Sequence, residues 1–311
     1  MITPFENQRY YALWNYNKKT FGCRIMKAVL DCNFTCPNID GTKGTGGCIF
    51  CSNGSGYFIP KGTISQQLEQ EKTRIYNKFP DAKIIAYLQS NTNTYAPLPK
   101  LKKIYEEILS YPDIIGITIG TRPDCLSNDI ISYLSDLSKK TNVTIELGLQ
   151  TIHDKTAEKI NRCYLFSNFL NTYTKLKENN IRTCIHIING LPYENTDDML
   201  KTAYVLGQLQ PDAIKIHLLH IIKGTRLADL FQSGDIITMT KEEYVNLVVK
   251  QLELFPPQTV IERLTGDGDA RNLIAPLWSK NKKSVLNDIA KQQKLQNSYQ
   301  GIKFNKIKKP E

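Results

Sequence analysis

No stretch of this chain approaches the roughly 20 consecutive apolar residues that a membrane helix requires. Its first residues, Met1 to Tyr16, lack the basic-then-apolar order of a secretory signal. The expectation is therefore a cytoplasmic protein that does not enter a membrane. Histidine is scarce, with four copies in 311 residues. All four (His153, His186, His217 and His220) fall in or near expected strands, and each reads first as a core residue rather than a catalyst. The run Gly266-Asp267-Gly268-Asp269 lacks the remainder of an EF-hand loop and is expected as a turn. Low-complexity sequence is missing until the lysine-rich end, which leaves no linker to a second domain. Disorder is excluded too, because 41% apolar residues can bury a full core.

Eight cysteines are present, and in a reducing compartment they point to ligands or redox chemistry instead of disulfides. Cys23, Cys32, Cys36, Cys48 and Cys51 crowd together, while the scattered Cys125, Cys163 and Cys184 are expected in the core. The formal charge of +10 is also uneven. From Ser279 to Glu311 nine lysines face two acids, Asp288 and Glu311. Such a segment attracts polyanions by counterion release, nucleic acid first among them.

Short β-branched runs alternate with amphipathic stretches. Strands are expected at Ile25–Asp31, Lys83–Gln89, Ile114–Ile119, Val143–Leu149, Thr183–Asn189 and Ala213–His220. Helices are expected at Ser65–Lys78, Leu98–Leu109, Ser127–Lys139, Lys155–Lys177 and Thr196–Gln208. Strands apolar along their whole length and separated by helices predict a parallel sheet. Six such units favour an α/β barrel or partial barrel, with a doubly wound sheet as the alternative. A later run, Thr259–Leu264, is expected as an edge strand. Polar clusters follow nearly every strand, where a parallel barrel places its active site.

The first of these clusters carries Cys36, Cys48 and Cys51, with Cys32 four residues ahead of Cys36. Thiolates at C-x2-C spacing bind zinc or an iron–sulfur cluster. Four would suit tetrahedral zinc, and three would leave one iron of a [4Fe–4S] cluster open. The intervening Asp40-Gly41-Thr42-Lys43-Gly44-Thr45-Gly46-Gly47 is rich in glycine, which lets backbone approach a bulky cofactor closely.

The motifs together resemble the radical S-adenosylmethionine (SAM) superfamily, in the branch of the Elongator catalytic subunit, and the YtqA/YhcC-like proteins in particular. The resemblance is carried by Phe21-Gly22 ahead of Lys27, Leu30-Asp31, Phe34-Thr35-Cys36-Pro37-Asn38 and Gly46-Gly47-Cys48 with Phe50-Cys51. It continues through Gly54-Ser55-Gly56, Asn91-Thr92-Asn93-Thr94, Gly120-Thr121-Arg122-Pro123-Asp124, Glu146-Leu147-Gly148-Leu149-Gln150 and Gly190-Leu191-Pro192.

It implies a partial (β/α)6 barrel with an N-terminal extension and a short C-terminal helical, lysine-rich extension. Cys36, Cys48 and Cys51 would hold a [4Fe–4S] cluster whose open iron binds SAM, and a one-electron donor such as flavodoxin or ferredoxin would reduce it. The reduced cluster would cleave SAM to methionine and a 5′-deoxyadenosyl radical. SAM contacts are implied at Asn91, Thr92 and Asn93, where relatives use a loop after the second strand to grip the amino group. Here that loop has no glutamate, so backbone and amide oxygens would serve. Gln150 and Arg162 match a glutamine and arginine of the coproporphyrinogen branch. Arg122, Glu146 and His186 complete the candidate set. Two departures stand out: Gly120 replaces a glutamate, and His186 replaces an acidic ligand.

The expected division is 1–24 as N-terminal extension, 25–225 as barrel, 226–278 as closing region and 279–311 as basic tail. Too little chain follows the barrel for the acetyltransferase domain of Elongator-type relatives, so no acetyl-CoA chemistry is expected. The resemblance implies a tRNA substrate at the C5 side chain of the wobble uridine, converted from 5-carboxymethylaminomethyl to 5-aminomethyl. The alternatives are a radical enzyme acting on a small metabolite or protein, and a zinc-stabilised nucleic-acid-binding protein.

Overall fold

The structure is a computed structural model describing residues 5, 8–52, 61–89, 91–266 and 270–305. The Gly54-Ser55-Gly56 motif and Asp267 to Asp269 lie outside the described residues.

The apolar runs form strands β1 (Ile25–Leu30), β2 (Lys83–Leu88), β3 (Ile114–Thr121), β4 (Asn142–Gln150), β5 (Arg182–Asn189) and β6 (Ala213–Leu218). A short β7 (Ile221–Ile222), then β8 (Val260–Arg263) and β9 (Leu273–Ala275), follow. The sheet runs β1-β2-β3-β4-β5-β6-β8, and β7 pairs with β9 in a small antiparallel ribbon. The helices are α1 (Leu13–Phe21), α2 (Ile64–Tyr76), α3 (Leu98–Leu109), α4 (Asn128–Ser138), α5 (Asp154–Lys159) and α6 (Phe166–Glu178). They continue with α7 (Thr196–Leu209), α8 (Arg226–Gln232), α9 (Lys241–Leu254) and α10 (Lys282–Leu295). No helix among the described residues is long and apolar enough to cross a membrane.

The chain divides into two compact units, one comprising Trp14–Leu149 with Asn161–Cys184, the other the remainder. In the first, β1 to β4 are parallel, with Leu30 beside Leu88, Leu88 beside Ile119, and Gly120 beside Glu146. The strand ends therefore align, and their loops emerge from one edge of the sheet. Helix α3 buries Leu101, Tyr105 and Ile108. The exposed edge of β1 would leave backbone groups unpaired, a known route to aggregation. Buried side chains of α2 close it. Val29 N donates to Glu71 Oε2 at 2.8 Å and Asp31 N to Gln67 Oε1 at 2.8 Å. Arg74 grips Glu71 through two hydrogen bonds, so the carboxylate is not left unpaired.

One expectation fails informatively. The helix predicted over Lys155–Lys177 is two helices, α5 and α6, separated by a turn in which Asn161 (φ +56°) and Cys163 (φ +62°) are left-handed. Apolar residues continue across the break but change phase, Phe169, Tyr173 and Leu176 lying about half a turn from Ile160, a shift the expectation overlooked.

In the second unit β6 and β8 pair in parallel, as Ala213 beside Val260 shows. The far edge of β8 is sealed by the N-terminal segment, where Ile261 N donates to Tyr11 O at 2.8 Å. Gln300, completely buried, ties this segment to the C-terminal end by accepting from Tyr11 N and donating to Pro256 O and Thr259 O. The described part of the basic segment is thus folded into this unit as α10 and a closing turn. Small residues set the helix approach: a Cβ on Gly207 of α7 would lie 2.4 Å from Leu254 O at the end of α9. Alanine gains about 1 kcal/mol over glycine in an open helix, but here the clash is with backbone, which cannot swing aside. Gly207→Ala should therefore lower the melting temperature, and a rise in denaturant melts would contradict this packing.

Candidate cofactor site

The loop after β1 folds on itself before anything else touches it. Ile39 N and Asp40 N both donate to Cys36 O, Lys43 N and Gly44 N to Pro37 O, and Gly47 N to Asn38 O. Cys51 N donates to Cys48 O at 2.9 Å, closing the C-x2-C turn. These turns gather Cys36, Cys48 and Cys51. Burial pushes the Cys48 thiol up to about 12, and the nearby Cys51 and then Cys36 add to the shift, against the Arg122 charge. Cys32 lies apart. Its thiol is buried and also pushed up to about 12, but by burial first and then by Asp31 and Glu107. It adjoins Tyr105 of α3.

Asn38, between the cysteines, is completely buried. Its Nδ2 donates to Cys48 Sγ at 3.6 Å and to Asn161 O at 2.5 Å. A Cβ on Gly44 would lie 2.3 Å from Asn38 Oδ1 and 2.7 Å from Cys163 Sγ, so only glycine admits this approach. From the other side, Asn161 Nδ2 donates to Thr45 O at 3.0 Å and Gly47 O at 2.7 Å. The turn that interrupts the expected helix is thus the clamp on the cysteine loop.

Arg162, at the centre of that turn, is completely buried. It donates to Leu149 O at the end of β4 and, through Nε and Nη2, to Tyr164 O at 3.1 and 2.9 Å. Its guanidinium also stands 4.4 Å from the Tyr164 ring centroid, and Tyr164 OH donates to Gly148 O at 2.7 Å. Arg122 forms a two-pronged bond with Asp124, both contacts 2.9 Å, and donates to Arg162 O at 3.1 Å. Lys43 of the cysteine loop reaches Asp124 Oδ2 at 2.9 Å. Burial alone would raise the Asp124 carboxyl, but the bonds and charges of Arg122 and Lys43 outweigh it and hold it below its ordinary value. The Arg122 fork is therefore occupied by Asp124, and its direct effect is on the loop through Lys43.

The loop after β2 closes a third side. Asn91 (φ +58°) donates to Phe34 O at 2.9 Å, and Thr92 N to Thr35 O at 3.2 Å. Asn93, completely buried, donates through Nδ2 to Gly120 O and Leu88 O. Gly120, where relatives have glutamate, leaves room for this: a Cβ there would meet Leu88 O at 3.0 Å.

Glu146, buried on β4, is fully engaged. Lys27 Nζ lies 2.8 Å from Oε1 and Tyr87 OH donates to Oε2 at 2.7 Å. A buried carboxylate needs such partners. They come from β1 and β2, so the trio spans the face of the sheet. Gln150 (φ +64°) and His186 belong to the other unit. There His186 and His217 rings pack with centroids 5.1 Å apart, and Gly266 lies against His217 and His220. Three of the four histidines so form one group, which their scatter in sequence did not show.

Whether this loop suits a cluster is testable on its own atoms. Buried Asn93 Oδ1 has no hydrogen-bond partner among the described residues, and a buried acceptor without a donor points to a group beyond the chain; Asn38 Oδ1 instead faces Gly44 of its own loop. The cysteine trio, a donor on Cys48 Sγ and the close Gly44 backbone fit a sulfur-rich cofactor. Among the described residues no three His, Cys, Asp or Glu side chains are grouped as ligands of one metal ion. Sequence reasoning missed Asn38, Asn161 and Tyr164, for which polar residues flanking Arg162 and the cysteines were the available signal.

Comparison with known proteins agrees. The description "Radical SAM superfamily" matches residues 39–204, and "Radical_SAM C-terminal domain" matches residues 211–294. The chain is 43% identical to the uncharacterized protein YtqA of Bacillus subtilis over 309 residues, 98% of this chain and 96% of that one. It is 32% identical to the protein YhcC of Escherichia coli K12 over 266 residues, 85% of each. Its fold matches the archaeal Elp3 of Methanocaldococcus infernus with a TM-score of 0.66 at 15% identity, covering 89% of this chain and 64% of that one. The chain belongs to the radical SAM superfamily and is a radical SAM enzyme, working with a [4Fe–4S] cluster and SAM.

Proposed function

We propose that Cys36, Cys48 and Cys51 hold the cluster and that the enzyme converts the 5-carboxymethylaminomethyl side chain of a tRNA wobble uridine to 5-aminomethyl: loss of a hydrogen atom and then of one electron to a one-electron acceptor would give an imine, whose hydrolysis would release the two carbons as glyoxylate. The gathering of these three cysteines, with Cys32 turned to α3, carries the ligand assignment. When bound, cluster and SAM supply a 5′-deoxyadenosyl radical. A hydrogen on carbon flanked by an amine and a carboxylate is a suitable target, because both substituents stabilise the radical left behind. The tRNA substrate is supported by the YtqA/YhcC-like motifs and by the lysine excess near the C-terminus.

The chain's own residues divide the remaining work. Asn38 donates to the Cys48 sulfur and so stabilises the more negative, reduced state. Asn93 Oδ1 is an acceptor for the amino group of SAM, with Asn91 and Thr92 holding its loop against the cysteine loop. Gln150 is the candidate for the carboxylate end of SAM, and Arg162 fixes the end of β4 through Leu149 O. Glu146 positions Lys27 and Tyr87 on the sheet face. Arg122 works through Asp124, and His186 is the candidate for the adenosine side. A one-electron donor such as flavodoxin or ferredoxin, acting in the cytoplasm, completes the requirement.

Cys36→Ala, Cys48→Ala and Cys51→Ala should each abolish iron and sulfide incorporation on anaerobic reconstitution. Cys32→Ala should retain it, and a loss there equal to the others would reject the three-ligand assignment. Asn38→Ala should leave the cluster assembled but lower its reduction potential in a spectroscopic titration. An unchanged potential would mean that the Asn38 bond is only structural. For the substrate, tRNA from a deletion strain should accumulate the carboxymethylaminomethyl nucleoside, whereas an unaltered nucleoside profile would reject the tRNA reading.

A further inference from the structure

Helix α10 packs one face on α9 and leaves the other in solvent. Val285, Ile289 and Gln293 are buried, and Lys241 of α9 bonds Asp288 and donates to Ser284 Oγ at 2.7 Å. Asp288 is the only acid in the helix, and it is turned to that inner side. On the outer side Lys280, Lys283, Asn287, Lys291 and Lys294 are exposed. Within α10 the spacing of Lys283, Asn287, Lys291 and Lys294 places them on one face over about three helical turns, and Lys280 precedes the helix at the end of a short 3-10 turn. None of these four lysines has an ion-pair partner among the described residues.

We infer that this row is a docking surface for the phosphate backbone of RNA. The inference rests on the tRNA reading and deepens it, by assigning the grip to a defined helix face remote in sequence from the cysteine loop. Charge complementarity selects the occupant. A linear row of uncompensated cations, with one amide among them, matches a repeating polyanion and offers no base-reading group, so it sets position and affinity rather than sequence choice. A protein partner would need an apolar anchor at the centre of its footprint, and the exposed Leu277 and Leu295 lie at opposite ends of the row with none between them. An anionic membrane would be drawn by the same charges, but with the helix's apolar face buried against α9 the helix has nothing to insert beneath the headgroups.

Deleting the segment would also remove buried Gln300, so the test neutralises charge instead. The anaerobically reconstituted full-length enzyme and its K280Q/K283Q/K291Q/K294Q variant are titrated against an unmodified tRNA transcript by fluorescence anisotropy at several salt concentrations. Iron content and melting temperature serve as controls for folding. Each phosphate contact contributes about 0.7 to 0.9 to the slope of log affinity against log salt, so the slope should fall by about 3 in the variant. Between about 50 and 200 mM salt the wild type should lose roughly a hundredfold more affinity than the variant. Replacing the same four lysines by arginine should preserve the slope. Equal slopes for wild type and glutamine variant would overturn the surface while leaving the tRNA substrate intact. Wild-type binding that is absent, or that appears only with acidic protein or anionic vesicles, would overturn it as well. The nucleoside profile of the deletion strain reads the chemistry separately.

Discussion

The buried guanidinium of Arg162, bonded to Leu149 O and Tyr164 O, fixes the turn on which the cysteine loop hangs. A loop from Cys36 to Cys51 with no regular secondary structure cannot hold three thiols in place by itself. It is fixed instead from outside, by Asn161 on Thr45 and Gly47, by Asn38 on Asn161, and by Lys43 on Asp124. Each partner follows the end of a strand or a helix break that Arg162 and Arg122 organise. Two left-handed residues flanking one buried arginine store conformational cost. The surrounding bonds have to repay it, which makes this turn sensitive to changes that are conservative elsewhere.

Much of the fold was legible because its strands are uniformly apolar and its helices amphipathic. Helix α3 was placed at Leu98–Leu109, as observed, and the six expected strands agree within about two residues at their ends. The break between α5 and α6 went unread because apolar residues continue across it, although Phe169 falls half a turn round a continuous helix from Ile160 and so marks a change of phase. The β7–β9 ribbon escaped notice because two- and three-residue strands carry no period. At the site, the three-cysteine set was expected from spacing and the exclusion of Cys32 from the family motifs. The sealing of β1 by Gln67 and Glu71 was not, since polar residues on a helix read as solvent-facing until their partners are known.

The polar groups within the first unit show a division between holding and reacting. Lys43 and Arg122 share the Asp124 carboxylate around the loop, and Lys27 and Tyr87 share Glu146 across the sheet face. Buried charge is tolerated in both places because every carboxylate oxygen has a donor. Two amide oxygens, those of Asn38 and Asn93, stand outside this accounting among the described residues. At Asn93 the amino group of SAM would supply the missing donor, whereas Asn38 Oδ1 packs on Gly44 of its own loop.

The central claim is that three cysteines of one clamped loop hold a cluster with a single open iron. Mössbauer spectroscopy of the iron-57-reconstituted enzyme, before and after SAM is added, tests it directly. Three protein ligands leave one iron of four free, so SAM should shift about a quarter of the absorption into a separate component of higher coordination. A spectrum that SAM does not alter, or a protein that takes up zinc and no iron, would contradict it.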